Sequence, residues 1–122
     1  MTFFKALNAL FVYDLLNTFC SFETMYWIVR RWRVSRTPAD ENTLERVCSA
    51  VNRACIWYPK QVLCLQRSAI TTYLLRGCGV PAELVLGAQK MPFKAHAWVE
   101  VAGQVLNEKT DVKAIYQIWD RC

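Results

Sequence analysis

The sequence predicts an α+β fold, with helices first and a small antiparallel sheet after them. Three observations carry that expectation. Apolar residues recur at helical spacing before Pro59 and again from Cys64 to Leu75, and Gly77-Cys78-Gly79 closes that last run. From Ala82 onward the period shortens to two, as in strands. At 122 residues the chain forms a single domain, large enough to bury one core without disulfide or metal staples. Residues 1–58 make a helical N-terminal portion, and residues 59–122 carry the central helix and the sheet.

The first third, through Val34, is rich in Phe, Leu, Tyr and Trp with isolated charges. Leu7, Leu10, Phe11, Asp14, Leu15 and Thr18 keep a helical period, as do Phe19, Phe22, Tyr26 and Val29. Apolar residues on several faces predict burial on more than one side, against the rest of the domain or a partner. Next, Thr37 can cap a helix, Pro38 suits its first position, and Asp40-Glu41 complement the positive end of its dipole. Leu44, Val47, Cys48, Val51 and Cys55 follow as one apolar stripe, which makes Cys48 and Cys55 small buried hydrophobes.

Pro59 interrupts this helix after Trp57-Tyr58, and a third begins between Pro59 and Cys64. It runs through Leu65, Ala69, Thr72, Tyr73 and Leu75 to the glycines, where Cys78 is a turn residue. Ala82–Gly87 reads as a strand, and Gln89 to Lys94 as a loop carrying Pro92. Ala95–Val101 is a second strand, with His96, Trp98 and Glu100 on one face and Ala97, Val99 and Val101 on the other. Ala102-Gly103 turns the chain into a third strand, Gln104 to Asn107.

Composition narrows the function. More than half the residues are hydrophobic and 20% are charged, so the chain is not disordered. The net charge of +5 is scattered. Only Arg30-Arg31-Trp32-Arg33 forms a tight basic group, a solvated helix end with no nucleic-acid motif beside it. Cys20, Cys48, Cys55, Cys64, Cys78 and Cys122 include no C-x-x-C pair, which argues against a zinc knuckle or redox dithiol. No signal-peptide pattern opens the chain, and its uncharged runs are far shorter than the ~20 residues that span a bilayer. The expectation is a cytoplasmic protein with reduced thiols, no transmembrane segment, no metal and no cofactor.

Within this frame, one set of residues could do chemistry. A thiol nucleophile needs a base to generate thiolate, the base needs an acceptor to fix its tautomer, and the developing oxyanion needs donors. Cys64 lies near the start of the central helix, where free N–H groups and the dipole favour thiolate. His96 is the sole histidine. After the Ala102-Gly103 turn the chain runs back past it, bringing Asn107, Glu108 or Asp111 near. Each also has a plainer reading: a buried cysteine facing the sheet, an ordinary strand histidine, a solvated hairpin end. Spacing suggests a Cys-His-acid site and leaves it open.

Three blocks carry a resemblance: "CLQRSAITTYLLRGCGVPAELVLG" at Cys64–Gly87, "PFKAHAWVEVAGQVLNE" at Pro92–Glu108, and "WYPKQ" before the cysteine. Together, from about Ala54 to Val112, they resemble the transglutaminase-like cysteine peptidases of lasso-peptide biosynthesis. These are the leader peptidases found as a separate chain from the leader-recognition protein. The resemblance implies a transglutaminase-like, papain-like core over residues 59–122, with Cys64 as nucleophile and His96 as general base and acid. The family's third member is an aspartate after the "V-N" of the third strand. Here Leu106-Asn107 is followed by Glu108, the same carboxylate on a stem one methylene longer. Glu108 is therefore the favoured orienting acid, with Asp111 the fallback and Asn107 a weaker one.

The Cys64 backbone N–H is the expected oxyanion donor, with the Gln61 side chain as support. Trp98 is expected to pack against the sheet, and Arg67 and Ser68 to support the helix. The implied partners are a precursor peptide of leader and core, a small leader-binding protein, and a lasso cyclase acting next, in a bacterial cytoplasm. The N-terminal third, including Arg30–Arg33, is the place for a partner surface or for more of the core. Two other classes compete: a transglutaminase-like acyltransferase using the same Cys-His pair, and a non-catalytic scaffold of a peptide-maturation complex.

Overall fold

The computed structural model describes residues 2–19, 27–28, 30–32, 34, 42–58, 64–90, 93–106 and 116–122. Helix α1 spans Thr2–Phe19, α2 Thr43–Trp57 and α3 Cys64–Gly77. A four-stranded antiparallel sheet follows, made of β1 (Ala82–Lys90), β2 (Phe93–Val101), β3 (Gln104–Leu106) and β4 (Gln117–Arg121), in the order β3-β2-β1-β4. The α+β architecture predicted from the sequence is the one observed.

The buried face of α1 differs from the predicted stripe. Ala6, Leu10 and Tyr13 are buried, whereas Phe11 is 56% and Leu15 45% exposed. With apolar residues on every side, periodicity cannot choose a face. Packing chooses it, and the small Ala6 lets α1 lie close against its neighbours. The predicted run from Phe22 to Val29 lies outside the described residues.

Asn42, not Thr37, occupies the N-cap of α2, and its carbonyl accepts the first helical bond from Arg46 N–H at 2.9 Å; residues 35–41 lie outside the described part. The buried stripe is Thr43, Val47, Ala50, Val51 and Ala54, so Cys48 and Cys55 sit half-buried at its margin rather than at its centre. The helix stops at Tyr58, whose extended backbone (φ −70, ψ 137) is what the ring of the following proline demands. The Tyr58 hydroxyl donates to Asp14 Oδ2 at 2.6 Å, and Gln66 Nε2 donates to the Leu10 carbonyl at 3.2 Å. These two bonds tie α2 and α3 to α1.

The end of α3 is a Schellman cap. Val80 N–H reaches the Leu75 carbonyl (2.9 Å) and Gly79 N–H that of Arg76 (3.1 Å), with Gly79 at φ 88. Gly79 supplies the left-handed residue, while Gly77 stays helical. Arg76, only 6% exposed, donates to the carbonyls of Ala82, Trp32 and Cys122.

The sheet corrects two expectations. The ladder between β1 and β2 continues through Gln89↔Lys94 to Lys90↔Phe93, so the expected loop from Gln89 to Lys94 is mostly strand. Polar residues masked the strand there, but backbone pairing does not require apolar side chains. β4 was not foreseen; it pairs with β1 across a bulge between Leu86 and Gly87. The predicted turn holds: Ala102 (φ 52) and Gly103 (φ 82) both take left-handed backbone, as a two-residue type I′ hairpin requires.

Alternation gives the sheet two distinct faces. Leu84, Ala97 and Val99 join the helical core with Leu10, Val51 and Leu75. Val85 and Trp98 face the other way, packed with Val105 and Tyr116. Among the described residues, no helix is long and apolar enough to cross a membrane.

Candidate active site

Cys64 lies at the N-terminal end of α3, half-buried against the helical core. Cys64 is the first described residue of α3, at the end of the helix where the backbone dipole favours an anion. Tyr13 of α1 belongs to the core cluster against which Cys64 packs. Burial first, and then the charge of a Cys64 thiolate, raise its phenol above the ordinary value.

Two other thiols of the helical layer are poor candidates for a nucleophile. Burial pushes Cys48 and Cys55 up, with Arg67 only partly opposing it. Thiolate, the nucleophilic form, is disfavoured at both.

One hydrogen bond brings the helix of Cys64 to the strand of His96. Ser68, buried and one turn after Cys64, donates its hydroxyl to the Ala97 carbonyl at 3.0 Å. Ala97 is the residue after His96. β3 pairs only with residues 99–101 of β2. Among the described residues, the outer edge of β2 beside His96 therefore carries no strand, and this is where α3 is anchored. The expectation that Ser68 supports the helix holds in this specific form.

The His96 ring stacks on Tyr116 (centroids 5.2 Å apart, interplanar angle 29°) and on Trp98 (6.0 Å, 29°). Trp98 is 1% exposed, as expected of a packing residue, and its indole N–H donates to Glu100 Oε2 at 2.9 Å. Glu100, equally buried, lies 3.4 Å from the Arg121 guanidinium, which also approaches Glu83 at 3.5 Å. A buried carboxylate is tolerable only when paired and hydrogen-bonded in this way. Opposite His96, Gly87 leaves room for the Trp98 ring.

Leu106, the last described residue of β3, pairs with Val99, so β3 points toward the His96 end of β2. Gln61, Asn107, Glu108 and Asp111 lie outside the described residues. Among the described residues, no group of three His, Cys, Asp or Glu side chains could hold a metal ion.

The comparison with known families decides the kinship. The family model described as "Transglutaminase-like superfamily" matches residues 9–120. The chain belongs to the transglutaminase-like superfamily. The matched span runs from α1 to β4, so the N-terminal helices belong to the transglutaminase-like unit as much as the sheet does. The chain is also similar to the microcin J25-processing protein McjB of Escherichia coli, 38% identical over 50 residues. That stretch is 41% of this chain and 24% of McjB, so the similarity spans about a quarter of that protein's length. No solved structure matches the chain.

Sequence reasoning missed Tyr116, Glu100 with Arg121, and the role of Gly87. Only the last had a readable signal: a glycine inside an apolar strand marks a close approach by another group. Tyr116 could not be found, because the strand that follows it carries no clear alternation.

Proposed function

We propose that this transglutaminase-like chain is a cysteine peptidase that removes the leader from a lasso-peptide precursor. The observation that carries the reading is the anchoring of the Cys64 end of α3 to the strand residue next to His96, in a chain of this superfamily with a stretch similar to McjB. The Cys64 thiolate attacks the carbonyl joining leader to core. The C–N bond breaks as the His96 imidazolium gives its proton to the leaving amine, leaving a thioester. His96 then takes a proton from water, the hydroxide adds to the thioester carbonyl, and the C–S bond breaks to release the leader acid and restore the thiolate beside the imidazolium. Glu108 accepts a hydrogen bond from the imidazole and fixes its tautomer. The Cys64 N–H, supported by Gln61, receives the oxyanion. The chain acts in the bacterial cytoplasm with a small leader-binding protein, ahead of the lasso cyclase. The exposed apolar residues Phe4, Phe11 and Leu15 of α1 are its surface for that partner.

The test is leader removal followed by mass spectrometry, with leader-binding protein and precursor present. Cys64→Ala and His96→Ala each abolish cleavage while the fold, read by circular dichroism, persists. Full activity in either variant refutes the assignment. Leader–amine adducts in place of free leader would make the chain an acyltransferase. Glu108→Gln lowers the rate much more than Asp111→Asn; the reverse order moves the orienting role to Asp111.

A further inference from the structure

Tyr116, just before β4, is a residue that no motif marks, yet its ring meets His96 more closely than Trp98 does. The centroid separations among His96, Trp98 and Tyr116 are 6.0, 5.2 and 6.2 Å. Sides this similar exclude a sandwich, in which the outer pair would stand about twice as far apart. Each ring instead abuts the other two, and both aromatic faces meet the imidazole at 29°. Separations of about 4.5–7 Å are those at which aromatic pairs attract.

The support beneath the cluster is rigid. Trp98 is buried and held by its bond to Glu100, and Gly87 provides the gap into which the indole and the Tyr116 Cβ fit. A ring braced on two flat neighbours has few rotamers left. An imidazole that must first take a proton from the thiol and then return one to an amine gains from that restriction, because misplacement by about 1 Å can cost 10²-fold in rate.

We propose that Tyr116 is a positioning residue for His96, acting through the flat face of its ring and not through its hydroxyl. The inference rests on His96 being the general base and acid of the reaction proposed above. It adds a residue from the far end of the chain to that site. A residue that acts through the imidazole and not on substrate lowers kcat when lost and leaves KM nearly unchanged.

Because His96 is the chain's sole histidine, proton NMR of the intact protein isolates its ring hydrogens without any assumption about catalysis. Tyr116→Leu keeps an apolar side chain but removes the ring current. The expected result is a displacement of the His96 ring resonances together with a fall in kcat of about tenfold or more. Tyr116→Phe restores both to wild-type values. Unmoved His96 resonances in Tyr116→Leu overturn the contact itself. Moved resonances with unchanged kcat overturn the positioning role. A Tyr116→Phe variant as slow as Tyr116→Leu overturns the assignment to the ring and gives it to the hydroxyl. If Tyr116→Leu does not fold, Tyr116→Phe and Tyr116→Trp decide, since both keep a flat face and must keep the rate. His96→Ala with full leader removal sinks the proposed reaction instead, and the resonance test is independent of it.

Discussion

Replacing Gly87 by alanine adds one methyl-sized group at the place where the aromatic cluster meets the sheet. The new Cβ would lie 2.6 Å from Trp98 Cη2, 2.7 Å from Trp98 Cζ3 and 3.0 Å from Tyr116 Cβ. Ordinary carbon contacts are about 3.5–4.0 Å, so the indole must retreat by roughly 1 Å. It has little freedom to do so, being 1% exposed and tethered to Glu100. Forcing extra carbon into a packed site costs about 1–3 kcal/mol. Against this, alanine restricts the unfolded chain and returns about 0.4–1 kcal/mol. The net is a destabilisation centred on ~1.3 kcal/mol, a fall in Tm of roughly 5 °C for a domain of this size. Calorimetry of Gly87→Ala beside wild type checks it, and leader removal should slow in the same variant, because the rings that move are those touching His96. A Tm equal to or above wild type would refute the reasoning, since the backbone term would then outweigh a clash that is not there.

Ser68→Ala removes the bond to the Ala97 carbonyl; chemical denaturation should show a loss of about 1 kcal/mol, and kcat for leader removal should drop because α3 is no longer fixed beside His96. Glu100→Leu leaves the Trp98 indole N–H without its acceptor and costs about 1–3 kcal/mol, whereas Glu100→Gln keeps an acceptor and costs less in the same urea titration. Burial first, and then the hydrogen bond and charge of Asp14, push Tyr58 from 10.0 up to about 12. The folded state thus holds this proton more tightly than the unfolded chain does. Its contribution to stability is whole below pH 10 and is lost as pH rises toward 12. Denaturation midpoints measured across that range should fall less steeply in Tyr58→Phe than in wild type.

The order of the elements and the two faces of β2 were legible because each depends on local pattern. Pro59, the Gly77-Cys78-Gly79 cap and the Ala102-Gly103 turn are backbone requirements written in single residues, and all three act where the sequence places them. The buried face of α1 was not legible, since Phe11 and Leu15 are as apolar as the residues that are buried. A choice among equals is made by tertiary packing. Nor was β4, whose place beside β1 is a long-range pairing across a bulge. At the candidate site, Cys64 and His96 could be picked out by residue type and order. Their surroundings could not: Ser68 acts through a backbone carbonyl and Tyr116 through a ring face, and neither leaves a spacing to read.

Strand β2 lets the two halves of the proposed site be held by different parts of the molecule. Ala97 and Val99 belong to the helical core, and the Ala97 carbonyl fixes the helix that bears Cys64. The neighbouring residues His96 and Trp98 point to the opposite face, where Tyr116 braces the imidazole. A side chain in a strand can serve only one face, so the reaction proposed above requires Cys64 and His96 to meet around the edge of β2 that, among the described residues, β3 leaves uncovered. This explains why a single-residue slip of β2 would be more damaging than any one substitution in it. Every side chain would change face at once, driving His96 and Trp98 into the helical core and pulling Ala97 away from Ser68. The short run from Ala95 to Glu100 therefore encodes two attachments in alternation, one for the thiol's helix and one for the imidazole's rings.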